Sequence, residues 1–182
     1  ENNYVMIDGD GDLKMDVTSG GTFMTFPVGT TQRYSPAMIK YNSGAASSFM
    51  VNVKKDVYAV GTYGDNLSLT ESIVDRTWRV SSSAGATSNI DMKVMWNGAD
   101  EVNGFDRTNA RISGFSNNQW DMSTMGSAST ASNGMYEMTR TGVTNMGLFA
   151  ITDNNSVLLV SENTALLAGV YPNPAEEVLN IS

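Results

Sequence analysis

Three aspartates alternate with glycine in the run Asp8-Gly9-Asp10-Gly11-Asp12. That spacing is how a calcium loop begins, with successive oxygens wrapping one hard cation. The hand-type loop also requires glycine directly after the third acid and glutamate six residues later. Leu13 and Thr18-Ser19 occupy those places. The run therefore reads as an acidic hairpin turn that holds no tightly bound metal. A second acidic group, Asp100, Glu101 and Asp106, surrounds Asn103-Gly104. Two carboxylates on one loop are the equipment of a glycosidase or of a calcium site. A solvated loop between strands explains them more simply. Trp78, Trp96 and Trp120 could form a platform on which sugar rings stack. Trp78 and Trp96, however, fall on the apolar side of their own alternation, where core packing is the better reading. Trp120, following Asn117-Asn118-Gln119, remains a candidate glycan contact together with Tyr63.

Other chemistries are closed by composition. The chain has no Cys and no His. Thiol catalysis, disulfides and thiolate metal sites are excluded, as are Ser–His–Asp catalysis and the usual zinc sites. No catalytic residue, metal or cofactor is expected. Charged residues make up 16% of the 182, while Ser, Thr and Asn number 20, 17 and 18. A surface kept wet by hydroxyls and amides suits an extracellular β-protein better than a cytosolic enzyme. The net charge of 11 − 19 = −8 and the pI of about 4.4 argue against binding the phosphate backbone of a nucleic acid. No apolar run approaches the ~18 residues of a membrane span. No leader segment is visible, and the opening Glu1-Asn2-Asn3-Tyr4 reads as the middle of a longer protein.

The elements that must carry these residues show a period of two. Ile90, Met92, Val94 and Trp96 alternate with Asn89, Asp91, Lys93 and Met95, the pattern of a strand with one buried face. Phe49, Val51 and Val53 alternate in the same way, as do Trp78 and Val80. Further strands are expected at 4–7, 13–17, 22–28, 37–41, 56–60, 110–115, 119–122, 136–139 and 148–152. Asp8-Gly9-Asp10-Gly11 between apolar runs is a strong hairpin signal. Asn97-Gly98, Asn103-Gly104, Ser113-Gly114 and Asn133-Gly134 supply further turns. No helix stands out. The fold class expected is all-β, an antiparallel β-sandwich. Residues 122–134, rich in Ser, Thr, Ala and Gly, read as a long loop, and 153–169 as a link to the tail. Met50 and Met95 fall on the polar parity of their strands. They mark either a contact with a neighbouring domain or a covering layer within the chain.

The tail is the most recognisable part. Val170-Tyr171-Pro172-Asn173-Pro174, a short polar stretch and then Val178-Leu179-Asn180-Ile181 resemble the opening of the C-terminal sorting domain of type IX secretion substrates of the Bacteroidota. Pro172 and Pro174 fix φ and forbid helix, and Asn173 between them favours a turn. Upstream, Tyr4–Gly9 followed by Phe23-Met24-Thr25-Phe26-Pro27-Val28-Gly29, the Thr77-Trp78-Arg79-Val80 strand, Met95-Trp96-Asn97 and Gly147–Ile151 are similar to the β-sandwich module that often precedes such signals. The resemblance implies a β-sandwich over 1–155, a linker over 156–169 and the truncated start of a second small sandwich over 170–182. It implies Tyr171, Pro172, Asn173 and Pro174 as the sorting-signal motif, and no catalytic residues. It implies a non-enzymatic structural or adhesin-type module of a large secreted or outer-membrane surface protein. The partners would be the type IX machinery, upstream domains of the same protein, and neighbouring surface proteins or glycans. The alternative is a glycan-binding module of a secreted enzyme or adhesin.

Overall fold

The computed structural model describes residues 3–7, 9–43, 46–84, 88–131 and 133–156. Their strands are β1 (Val5–Met6), β2 (Leu13–Val17), β3 (Met24–Phe26), β4 (Val28–Gly29), β5 (Ala37–Tyr41), β6 (Ser47–Lys55), β7 (Tyr58–Val60) and β8 (Tyr63–Asn66). The second half adds β9 (Ile73–Ser82), β10 (Ile90–Trp96), β11 (Glu101–Val102), β12 (Ala110–Ser116), β13 (Gln119–Trp120), β14 (Ser129–Thr130), β15 (Tyr136–Val143) and β16 (Gly147–Asp153). Helix is limited, among the described residues, to single 3-10 turns such as Gly98–Asp100 and Arg107–Asn109. Two antiparallel sheets form the body. One runs β14-β15-β10-β5-β3; the other runs β13-β12-β16-β9-β6-β2, with β11 also paired to β9. The chain is an all-β sandwich.

The alternation seen in the sequence builds the core. Ile90, Met92, Val94 and Trp96 of β10 are all buried and face Val74, Trp78 and Val80 of β9 and Phe49, Val51 and Val53 of β6 in one apolar cluster. Trp96 has its ring centroid 6.3 Å from Phe105 and 6.2 Å from Tyr136. A smaller cluster on the other face of the second sheet joins Val57, Leu67, Ile73, Trp120 and Ala150. The β7–β8 hairpin covers it, so this sheet is buried on both faces at that point. Met95 is buried within the chain, whereas Met50 is half-buried. For Met95 the covering layer is therefore internal.

Several turn expectations need correction. The Asp-Gly run does not close a hairpin. β1 pairs in parallel with β4, and β2 pairs with β6 at the edge of the second sheet. The run instead lies between the small β1–β4 pair and the edge of the second sheet. Ser113-Gly114 lies inside β12 rather than in a turn. Gly114 is there for close approach: a Cβ would lie 3.2 Å from Arg140 Nη1, Asp121 Oδ2 and Phe149 Cε1. The tight hairpin is at Asn117-Asn118, both with positive φ, of 52° and 61°. It joins the paired Ser116 and Gln119 with the two-residue geometry that Asn tolerates. Segment 122–134 is not a loose loop. Ala110 and Gly126 exchange backbone hydrogen bonds at 2.8 Å, Ser123 Oγ donates to the Ile112 carbonyl, and β14 pairs with β15. Asp153 ends β16 rather than beginning a link. Its buried carboxylate accepts from the amides of Asp106, Asn155 and Ser156 at 2.8–2.9 Å. The expected linker and sorting-domain start from 157 onward lie outside the described residues.

Trp96 unites both kinds of contact, apolar packing and an indole hydrogen bond to Glu101 at 2.8 Å. Trp96→Ala is expected to cost roughly 3–5 kcal/mol, the range for deleting a core aromatic, measured by urea unfolding. A loss under about 1 kcal/mol, the scale of ordinary surface substitutions, would show that the sandwich interior does not depend on this ring.

Candidate functional site

The polar chemistry concentrates at one end of the sandwich, on the loop after β10. In β9 the pleat places Arg76 on the same face as Val74, Trp78 and Val80, so a guanidinium enters the layer between the sheets. It is 1% exposed. Asn97 Oδ1 accepts from the Ala99 amide at 2.9 Å and starts the 3-10 turn that turns Asp100 inward. Arg76 Nη2 donates to Asp100 Oδ1 at 2.7 Å, and Arg33 Nη1 donates to the same oxygen at 2.9 Å. Asp75 Oδ2 lies farther from Arg76, at 3.8 Å, and is shared with Lys55. Burial draws the Arg76 guanidinium below its ordinary pKa, while Asp100 and Asp75 oppose that shift. A guanidinium stays charged even so. Arg76 Nε, Asp100 Oδ2 and Ser35 Oγ are buried without hydrogen-bond partners.

The neighbouring carboxylate is equally committed. Arg107 Nε and Nη2 fork onto Glu101 Oε1 and Oε2 at 2.7 and 2.6 Å, and the Trp96 indole donates to the same Oε1. The Arg107 guanidinium lies 3.6 Å from the centroid of the Tyr136 ring. The Glu101 hydrogen bond raises the Arg107 pKa. Asp106 accepts from Thr108 and Asn109, and these bonds hold its carboxyl below the usual carboxylate range. The expectation of a solvated loop fails for Asp100, which is 2% exposed. Asp100 and Glu101 do not form an acid–base pair either, because each is tied to arginine. The signal available in the sequence was parity: Arg76 stands two residues before Trp78, on the buried side.

At the other acidic run, Lys54 Nζ donates to Asp10 Oδ1 at 2.8 Å, and Arg79 reaches Asp12 Oδ1 at 3.0 Å and the Asp10 carbonyl at 2.6 Å. The Lys54 hydrogen bond lowers the Asp10 pKa. These cations engage oxygens that a metal would need. Asp8 lies outside the described residues.

The aromatic candidates separate. Trp120 is 5% exposed and does not serve as a stacking platform. Its ring meets Phe115 edge-on at 5.2 Å, and its indole donates to the Tyr58 carbonyl at 3.0 Å. The two-residue Asn117-Asn118 turn folds it back onto the sheet. Tyr63 is 63% exposed on β8. Tyr171, Pro172, Asn173 and Pro174 lie outside the described residues. No protein-family model, curated protein or solved structure matches the chain.

Two outcomes test this geometry. Asp100→Asn should destabilise the protein by about 3–5 kcal/mol, the cost of leaving a buried charge uncompensated. Arg76→Met combined with Asp100→Leu should cost far less than the sum of the two single changes. Urea unfolding of the wild type, Asp100→Asn, the two single changes Arg76→Met and Asp100→Leu, and their combination measures both, and additivity would refute the coupling. Millimolar calcium should leave the melting temperature within about a degree of the chelator control, since only binding to the folded state raises it. A rise of several degrees reversed by chelator would place a cation among these acids.

Proposed function

We propose that the chain is a non-enzymatic structural or adhesin-type module of a protein exported by type IX secretion to the cell surface or the medium. The observation that supports the non-enzymatic part most directly is the engagement of the candidate carboxylates. Asp100, Glu101, Asp106, Asp10 and Asp12 are each held by structural hydrogen bonds or ion pairs. A general acid or base must be able to exchange its proton with substrate. Carboxylates engaged in this way serve to hold loops. The closed sandwich suits a spacer that presents larger neighbouring domains. Export rests on the Tyr171-Pro172-Asn173-Pro174 resemblance. A stiff Pro-Asn-Pro segment loses little entropy when a partner orders it.

The test is a fusion. A tail beginning at Val170 and continuing to the end of the parent reading frame is placed after a periplasmic reporter in a type IX-competent host. The reporter should reach the surface or medium, and deletion of the tail should retain it. Retention with the intact tail would remove the export reading.

A further inference from the structure

A cleft of about 550 Å³ opens beside half-buried Arg33, lined also by Asn3, Tyr4, Tyr34, Asn97, Asn133 and Met135. Its walls are built. The Tyr4 and Tyr34 rings lie 5.5 Å apart, tilted by 34°. Tyr4 is fixed by a hydroxyl bond to the Thr30 carbonyl at 3.1 Å and by packing over Gly29, where a Cβ would fall 2.4 Å from the ring. Asn97 Oδ1 and Asn133 Oδ1 accept from the Ala99 and Met135 amides. Each side chain is thereby oriented, with its NH₂ left to donate outward. The Tyr34 hydroxyl and Arg33 Nε and Nη2 have no partner among the described residues. Among the described residues Asp100 is the carboxylate bonded to Arg33, and it is shared with Arg76. No carboxylate lines the cleft among the described residues, although the chain carries 19 acids.

We infer that this cleft binds an acidic pyranose, a hexuronate unit of a polysaccharide. The tyrosine rings offer apolar faces to the ring C–H groups. The oriented amides and the tyrosine hydroxyl pair with ring hydroxyls, and Arg33 takes the carboxylate by charge-assisted hydrogen bonds. A cation in a lining that holds no carboxylate among the described residues favours an anionic sugar over a neutral one. This site is separate from Trp120 and Tyr63, and it adds a ligand to the structural role without requiring the export reading.

The experiment uses the whole 182-residue chain, ¹⁵N-labelled, titrated with tetragalacturonate and, in parallel, with neutral cellotetraose. Tetragalacturonate should shift the side-chain amide signals of Asn97 and Asn133, and cellotetraose should not. Arg33→Gln and Tyr34→Ala should each weaken binding by about tenfold or more, the scale of a lost charge-assisted contact. Their melting curves report whether they fold, and Tyr34→Phe replaces Tyr34→Ala if the latter does not. Absence of shifts, equal response to both sugars, or unchanged binding in folded variants would each overturn the inference.

Discussion

A charge pointing into an apolar layer constrains everything around it. Arg76 occupies a position on β9 where the flanking residues of the same face are valine and tryptophan. Leaving a guanidinium there alone would cost several kcal/mol. The fold answers with Asp100, delivered from the next strand's end by a 3-10 turn. That single requirement fixes the path of the chain after β10. It also explains why β11 comes back to pair with β9 and why Glu101, one residue on, is in reach of the Trp96 indole. An apolar residue at position 76 would pack as well. The ion pair instead specifies which loop closes the sandwich at this end.

The two faces of the second sheet divide the work. Its inner face shares the large core with the first sheet, and its outer face is roofed by the β7–β8 hairpin over Trp120 and Ile73. A second small core reduces the exposed apolar area. It also removes Trp120 from any contact with solvent-borne ligands. The acidic run at 10–12 is secured on the same outer face by Lys54 and Arg79. Exposed pairs of this kind contribute little stability individually, but they fix where the edge strand β2 begins. Edge strands need such definition, because their unpaired backbone groups otherwise accept any neighbour.

Much of the fold was legible in the sequence, and the reason is alternation. β6, β9 and β10 read directly from apolar residues at every second position, since one face of each packs on the main core. The failures have common causes. The pairing of β1 and β2 was read from the turn residues Asp-Gly, but turn chemistry only permits a hairpin, and partner choice is made by distant strands. Trp120 was ambiguous because β13 has only two residues, too short for a period to show. Segment 122–134 has a loop composition, yet its backbone bonds to β12 and β15 are made by main-chain atoms that composition does not reveal. Asp100 looked solvated because its partner stands 24 residues earlier, and no local pattern joins them.

The cleft beside Arg33 follows from the same constraint as the core. Arg33 Nη1 and Arg76 Nη2 meet on one carboxylate oxygen, so the guanidinium that faces solvent is positioned by the one that does not. Asn97 both starts the turn that delivers Asp100 and presents its amide at the cleft. A recognition surface on loops ordinarily loses entropy when its side chains order around a ligand. Here Arg33 and Asn97 are already ordered by the turn and ion pairs around Asp100, and Tyr4 and Asn133 by bonds of their own. This accounts for oriented donors at the end of a sandwich whose other candidate carboxylates, among the described residues, are engaged in holding loops.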